Sequence, residues 1–147
     1  MRTTADVEIL LVEDNPEDVE LTMRALEKLN LANKVFVARD GAQALDFIFA
    51  TGSFAQRRIE NRLKVILLDL KLPKIDGIEV LRRTKLDERT KDTPVVMLTS
   101  SQEERDVLDT YNLGANSYIV KPADFTDFAQ AVSKLGLYWG VLNKVPS

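Results

Sequence analysis

Five residues of the sequence carry groups that can take part in chemistry, and each stands at the end of a strongly apolar run: Glu13, Asp14, Asp69, Thr99 and Lys121. Three carboxylates within about 4 Å repel one another by roughly 1 kcal/mol per pair in water and about 4 kcal/mol at an effective dielectric of 20. If the three acids meet, we therefore expect a divalent cation or a covalent modification to relieve the repulsion. The lysine supplies a positive charge, and the threonine hydroxyl a hydrogen bond, for an incoming phosphate group.

The absence of two residue types excludes several other chemistries. The sequence has no cysteine, which excludes disulfides, a thiolate nucleophile and a cysteine-bound zinc site. It has no histidine either, which excludes serine–histidine catalysis, a histidine-bound metal and a phosphoryl group carried on its own imidazole. Any metal must therefore bind oxygen atoms, which favours Mg²⁺, Mn²⁺ or Ca²⁺.

Length and composition place the chain in a broad class. The 147 residues fit one domain, and 45% apolar with 29% charged residues are typical of a soluble globular protein. The net charge of −3 gives no indication of a nucleic-acid or anionic-membrane partner. No apolar run approaches the roughly 18 residues of a membrane span, and residues 1–8 lack the pattern of a signal peptide. We expect a cytoplasmic protein that binds neither nucleic acid nor membrane.

The apolar runs predict buried strands of a parallel sheet, because they are continuous and rich in valine and isoleucine. Four runs are strong and a fifth is shorter: residues 9–12, 65–68, 95–98 and 118–120, and residues 35–37. Helical patterns follow the runs and begin near Asn15-Pro16, Gly41, Asp76-Gly77, Gln102 and Asp124. Five strands alternating with five helices predict an α/β fold with a doubly wound (βα)5 sheet and helices on both faces.

This topology would bring the five chemical residues to one edge of the sheet. In an open α/β sheet, ligands bind beyond the carboxyl ends of the strands, at the switch point of the strand order. Taken alone, each residue has a more ordinary interpretation: a charged turn, a turn aspartate, a helix N-cap or a solvated lysine. Four strands that end in these residue types at the same edge favour the functional interpretation.

Two segments go beyond a minimal (βα)5 design. Residues 51–62 form a polar connection with three arginines, and residues 136–147 form an unusually apolar tail. The sequence has no internal repeat, low-complexity segment or linker. We therefore predict a single domain over residues 1–147, with a core over about residues 7–135 and residues 136–147 as a C-terminal extension.

Four segments, LLVEDNPED, ILLDLKLPKIDG, VVMLTSS and SYIVKP, resemble the receiver domain of response regulators, and the likeness extends over residues 7–135. With KVFVARDGAQALDFIF and the long polar connection, the chain is most similar to the cyanobacterial phytochrome response regulators, which are receivers without output domains. The resemblance implies a flavodoxin-like fold with strand order 2-1-3-4-5. It also implies a two-component signalling protein that a histidine kinase phosphorylates, the kinase being a phytochrome-type photoreceptor.

The resemblance further implies a role for each matching acidic residue. Asp69 would be the phosphoacceptor, taking a phosphoryl group from a phosphohistidine of the kinase. Mg²⁺ would be bound by Asp14 and Asp69, with Glu13 acting directly or through water. The backbone carbonyl of Lys71, two residues after Asp69, would complete the metal site.

Three further residues receive roles from the same resemblance. Lys121 would bond to the phosphoryl group, and its peptide bond to Pro122 would be cis, a conformation open to X-Pro bonds at modest cost. Thr99 would bind the phosphoryl group and, with Tyr118, form the conformational switch. The implied output is a change of shape in the face built from the fourth helix, fifth strand and fifth helix.

Two other classes of function remain as alternatives. An aspartate-nucleophile phosphatase of the haloacid dehalogenase type uses two aspartates two residues apart, but Lys71 stands at the second position, so the general acid is missing. A phosphorylation-independent docking module would need no metal site, and the complete acidic cluster argues against it. On the preferred interpretation the protein is not an enzyme, although it assists its own phosphorylation and dephosphorylation.

The apolar residues of the C-terminal region predict a homodimer. Phe128, Val132, Leu135 and Trp139 follow one another at spacings of four, three and four, which puts them on one face of a continuing helix. Part of that face could instead pack on the sheet, and the surface could also contact a kinase. The tail lies beyond the reach of a five-stranded sheet, and exposed apolar clusters usually mark an interface.

Overall fold

Five parallel strands form the centre of the molecule in a computed structural model that describes residues 7–60, 63–99 and 109–121, together with residues 126 and 130. The strands are β1 (Ile9–Val12), β2 (Val35–Ala38), β3 (Val65–Asp69), β4 (Val95–Thr99) and β5 (Ser117–Val120). Their order in the sheet is β2-β1-β3-β4-β5, and every neighbouring pair is parallel. The predicted doubly wound flavodoxin-like sheet and its strand order are confirmed.

The strands are mostly apolar because both faces of the sheet are covered. Every residue of β1 and of β3 is buried. One face contributes Leu10, Leu68 and Met97 to a cluster that includes Phe47 of a helix. The other face contributes Leu11 and other strand residues to a second cluster. A strand buried on both sides has no polar face, which is why its sequence does not alternate.

Three helices are described over their full length: α1 (Pro16–Lys28), α2 (Gly41–Phe49) and α3 (Gly77–Leu86). Asn15, Asp40 and Asp76 are their N-caps, and each side chain accepts a hydrogen bond from a backbone N–H in the first turn. The three predicted helix starts therefore agree with the structure. After the last residue of α2, Ala50 takes a left-handed conformation and ends the helix.

The fourth and fifth predicted helices are described only in part. Residues 109–112 are helical and lead through Gly114 into β5, and residues 126 and 130 are also helical. The predicted starts of both helices, the proposed dimer residues Phe128, Val132, Leu135 and Trp139, and the tail lie outside the described residues. The predicted domain limits therefore stay a prediction. In the part of the chain that is described, no helix is both long and apolar enough to cross a membrane.

The polar connection after α2 is more ordered than its sequence indicates. Phe54, in a short 3-10 turn over Gly52–Phe54, packs edge-on against Phe36 and Phe47. The guanidinium of Arg57 lies 4.7 Å from the ring centre of Phe47 and donates to the Phe47 carbonyl at 2.8 Å. Burial lowers the pKa of Arg57, and the charge is held by the carbonyls of Phe47 and Ile48 in the last turn of α2. One arginine of this segment is thus a C-terminal cap for α2.

Candidate functional site

Three carboxylates meet where β1 and β3 end side by side. One oxygen from each of Glu13, Asp14 and Asp69 lies within 4.8 Å of the others. Glu13 and Asp69 are buried, whereas Asp14 is exposed. All the donor atoms are carboxylate oxygens, which favours Mg²⁺, Mn²⁺ or Ca²⁺. The open side at Asp14 leaves room for waters, which Mg²⁺ usually retains.

The ammonium of Lys121, directly after β5, reaches into the same cluster. Its Nζ donates to Asp69 Oδ2 at 3.0 Å and to Glu13 Oε2 at 2.8 Å. A third bond of 2.7 Å goes to Asp18 Oδ2, in the first turn of α1. Lysine has three N–H donors, so these three carboxylates use its full capacity. The lysine is only 13% exposed, and it brings the far edge of the sheet into contact with the centre.

The proximity of these charges changes two proton affinities. Burial raises the pKa of Glu13 to about 7; the hydrogen bond from Lys121 opposes this rise, and the neighbouring Asp69 adds to it. Burial by itself lowers the pKa of Lys121, but hydrogen bonds to Asp18, Glu13 and Asp69 outweigh burial and hold it above its ordinary range. Lys121 therefore keeps its positive charge. A cation next to Glu13 would stabilise the ionised form of that carboxyl group.

The loop after β3 fixes the orientation of Asp69. The backbone N–H of Lys71 donates to Asp69 Oδ1 at 3.1 Å, and that of Gly77 donates to the Leu70 carbonyl at 2.8 Å. A Cβ atom on Gly77 would lie 2.1 Å from the Asp69 carbonyl oxygen, so only glycine fits there. Lys71 and Asp14 both line an open groove of about 520 Å³. The groove gives access to the carboxylate cluster from solvent.

A second loop, at the start of α2, braces the loop after β3. The N–H of Gly41 donates to the Pro73 carbonyl at 3.3 Å, and a Cβ on Gly41 would lie 1.8 Å from the Ile75 carbonyl oxygen. Lys74, between them, has a φ of 68° and pairs with Asp40 at 3.5 Å. A non-glycine residue with positive φ needs surrounding contacts to hold it. The α2 start supplies them.

The remaining predicted site residues are only partly described. Thr99 is the last residue of β4 and pairs with Val120 of β5, but its side chain lies outside the description. Tyr118 is half-buried in β5 and packs against the core. The peptide bond to Pro122 also lies outside the described residues. The roles of these three residues stay predictions.

Sequence reasoning missed Asp18. An acidic residue in the first turn of a helix is ordinarily explained by the helix dipole, and Glu17 beside it fits that explanation. One signal was available, because Asp18 stands a single helical turn after the acidic pair Glu13-Asp14 and its cap Asn15. A side chain in the first turn of α1 lies close to the carboxyl end of β1, because only three residues separate the two elements. The contact with Lys121, 103 residues later, depends on the tertiary fold.

Comparison with known proteins decides the family. The model of the response regulator receiver domain matches residues 9–133. The chain belongs to the response regulator receiver family. Among related proteins, a probable methanogenesis regulatory protein, FilR2 from Methanothrix harundinacea, is 39% identical over 94% of this chain and 86% of its own length. The response regulator Rcp1 from Synechocystis sp. is 37% identical over 89% of this chain and 87% of its own.

Solved structures place this receiver near regulators of phytochrome signalling. The bacteriophytochrome response regulator RtBRR is 54% identical with a TM-score of 0.82, covering 94% of this chain and 82% of its own. The Mn²⁺-bound form of Rcp1 is 36% identical with a TM-score of 0.71, covering 93% and 95%. The predicted receiver family and its likeness to phytochrome response regulators are confirmed.

Proposed function

We propose that this receiver takes a phosphoryl group from a phosphohistidine of a histidine kinase onto Asp69, in a reaction that requires Mg²⁺. The observation that carries the proposal is the pairing of Asp69 Oδ2 with the Lys121 ammonium at 3.0 Å, beside a cluster of three carboxylates. A nucleophilic carboxylate, a fixed positive charge and a site for a divalent cation are the parts that phosphoryl transfer needs.

Mg²⁺ would be held by Asp14 and Asp69, by Glu13 directly or through water, and by the backbone carbonyl of Lys71. When bound, it would neutralise charge on the oxygens of the transferring group. The donor set supports this assignment, because it consists of oxygens and is open to solvent on the side of Asp14. A relative with a similar fold, Rcp1, has been solved in a Mn²⁺-bound form, which also supports a divalent cation here.

The residues of the chain would perform the transfer as follows. An oxygen of Asp69 attacks phosphorus, and the bond from phosphorus to the donor's imidazole nitrogen breaks as the new bond to oxygen forms. Lys121 donates to a phosphoryl oxygen, and we assign the Thr99 hydroxyl to another. Thr99 and Tyr118 would then carry the change to the surface formed by β5 and its neighbours. Water later hydrolyses the acyl phosphate and restores Asp69.

We further propose that the donor is a phytochrome-type sensor kinase. Two similar structures support this: the bacteriophytochrome response regulator RtBRR and the phosphorylated cyanobacterial phytochrome response regulator RcpA. RcpA is 38% identical to this chain with a TM-score of 0.74, covering 95% of this chain and 97% of its own. Phosphotransfer from a panel of purified kinases would test the choice, and preferred transfer from a kinase of another sensor class would contradict it.

The two alternative functions have weaker support. A phosphatase of the haloacid dehalogenase type needs a second acid two residues after Asp69, where Lys71 stands. A docking module without phosphorylation would leave the carboxylate cluster and its lysine unexplained. We therefore propose a phosphoacceptor that assists its own phosphorylation and dephosphorylation and turns over no other substrate. We also propose a homodimer through Phe128, Val132, Leu135 and Trp139, on the sequence pattern alone.

Labelling with acetyl phosphate tests the acceptor. We expect Asp69→Asn to remove labelling completely and to leave the fold unchanged, because an amide keeps the shape of the carboxylate but is a poor nucleophile. Glu17→Gln, an exposed acid in the first turn of α1, is the control and should label like the wild type. Intact mass and circular dichroism are the measurements. Full labelling of the Asp69→Asn variant would show that another carboxylate is the acceptor.

A further inference from the structure

Asp18 makes the shortest of the three bonds to the Lys121 ammonium. Its Oδ2 lies 2.7 Å from Nζ, compared with 2.8 Å for Glu13 and 3.0 Å for Asp69. The side chain of Asp18 is 28% exposed and that of Lys121 only 13%. This is a charge-assisted hydrogen bond at the edge of the site, and such bonds are stronger than neutral ones.

Asp18 differs from the other two partners of Lys121 because, among the described residues, its carboxylate accepts a hydrogen bond from Lys121 alone. Asp69 is the proposed acceptor, and its Oδ1 also accepts from the Lys71 N–H. Glu13 belongs to the carboxylate cluster, and its Oε1 accepts from the Asn15 N–H. Among the described residues, the cluster of possible metal ligands comprises Glu13, Asp14 and Asp69 and does not include Asp18.

Asp18 is also the partner of Lys121 that neither phosphorylation nor cation binding would engage directly. On the proposed function, Asp69 becomes an acyl phosphate, and Lys121 transfers one N–H bond from Asp69 to a phosphoryl oxygen. Glu13 lies in the cluster proposed to hold the cation, so its negative charge would be shared between that cation and Lys121. We propose that Asp18 is a positioning residue that anchors the Lys121 ammonium over Asp69 before, during and after phosphoryl transfer. This inference rests on the proposed function.

The backbone around Asp18 is built to serve as an anchor. Asp18 lies in the first turn of α1, and its N–H donates to the Asn15 cap at 3.2 Å. A helical backbone holds a short aspartate side chain within narrow limits, whereas the lysine has a flexible four-carbon stem. Fixing the end of that stem removes side-chain freedom that would otherwise be lost during the reaction. The position of α1 thereby sets the position of the Lys121 ammonium, which follows β5.

The test is the rate of phosphorylation by acetyl phosphate in saturating Mg²⁺. We expect Asp18→Ala to lower the maximal rate by about tenfold, the order expected for loss of one charged hydrogen bond. Asp18→Asn, which keeps an acceptor oxygen without the charge, should fall between Asp18→Ala and the wild type. The control is Glu17→Ala, which removes the same charge from the same helical turn and should stay within about twofold of the wild type, because dipole effects there are small.

A double-mutant cycle with Lys121 separates positioning from a general disturbance of the fold. In a Lys121→Ala background, Asp18→Ala should cause no further loss, because its partner is gone. A second readout avoids the chemical step: the affinity for beryllofluoride, a phosphoryl mimic, should fall in Asp18→Ala and not in Glu17→Ala. Equal losses for Asp18→Ala in both backgrounds would mean that Asp18 acts without Lys121, which would overturn the proposal.

A wild-type or faster rate in Asp18→Ala would also overturn it, since Asp18 would then be a bystander or a competitor for the lysine. These outcomes are distinct from failure of the proposed function. In that case the wild type itself would not be labelled, or Asp69→Asn would still be labelled. Labelling of the wild type, loss in Asp69→Asn and an unaffected Asp18→Ala would reject the role of Asp18 alone.

Discussion

Asp69 is held from both sides by donors that differ in kind. Its Oδ1 accepts a backbone N–H from Lys71, and its Oδ2 accepts the ammonium of Lys121. A buried carboxylate with both oxygens bonded has little rotational freedom. The side chain is therefore oriented before any phosphoryl donor arrives, which is the arrangement that lowers the entropic part of a barrier.

The carboxylate cluster leads to a prediction on metal binding. We expect the wild-type protein to bind Mg²⁺ weakly, and the Asp14→Ala, Asp69→Ala double variant to bind it at least about tenfold more weakly. Losing a residue that merely orients a metal ligand already lowers metal affinity by about tenfold, so losing two ligands should cost at least as much. Shifts of backbone amide resonances during Mg²⁺ titration measure the affinity. Glu17→Ala is the control for loss of an acidic charge. Equal affinity in the wild type and the double variant would contradict a metal site at these residues.

Some residues of the site could be predicted from the sequence, and the reason is geometric. Glu13, Asp14, Asp69 and Lys121 each follow a buried strand or end one, and parallel strands bring their carboxyl ends to one edge. Asp18 lies inside a helix, where the sequence pattern reports which face is apolar but not which distant side chain lies opposite. The strand-end rule therefore cannot find it.

At the scale of elements, the loop between β3 and α3 depends on α2. Gly41 leaves no space between the start of α2 and the carbonyl of Ile75, and Asp40 pairs with Lys74. Lys71, whose N–H bonds to Asp69, belongs to the same loop. A change at α2 should thus reach Asp69 through backbone contacts rather than through side chains of the site.

We expect Gly41→Ala to destabilise the protein by about 1–3 kcal/mol, the usual cost of forcing added volume into a packed contact. The displaced loop should also weaken Mg²⁺ binding. Asp40→Asn is the matched control, because it keeps a good N-cap for α2 and removes only an ion pair with an exposed lysine, worth about 0–1 kcal/mol. Urea unfolding and Mg²⁺ titration measure both effects. An unchanged stability in Gly41→Ala would show that the two loops separate easily.

The polar connection after α2 marks the limit of element prediction. Its three arginines and lack of periodicity indicate a solvated loop, and part of it is one. Arg57 is nevertheless buried, because the α2 carbonyls and the ring of Phe47 offer partners that only the folded chain assembles. Burial of arginine follows from its partners, which a local pattern does not contain.

At the scale of the whole molecule, the predicted dimer is the feature that would connect phosphorylation of Asp69 to a change in assembly. The C-terminal apolar residues predict a dimer, and they lie outside the described residues. Light scattering should give a dimer mass for the wild type and a lower mass for Trp139→Ala, because an apolar contact is lost. Leu21→Ala, which removes a 47% exposed apolar side chain from α1, is the control. Monomers throughout the micromolar range, with and without beryllofluoride, would contradict the dimer.

The sheet as a whole was predictable because its strands are buried on both sides. Continuous apolar runs identified all five strands, and the resemblance supplied their order. Two predicted strand ends were one residue short, because Asp69 and Thr99 belong to β3 and β4. These polar residues still pair in the sheet, so hydrogen bonding extends each strand beyond the end of its apolar run.

The edge position of β5 has a consequence for the order in which the molecule assembles. β1 and β3 lie side by side at the centre of the sheet, so the strands that carry Glu13 and Asp69 can pair once β3 has been synthesised. Lys121 follows β5, which lies at the edge of the described sheet and pairs with β4. The acids can therefore meet before Lys121 reaches them, because the lysine follows the edge strand. In that interval divalent ions from the solution would be the available counterions, so we expect added Mg²⁺ to raise the refolding rate.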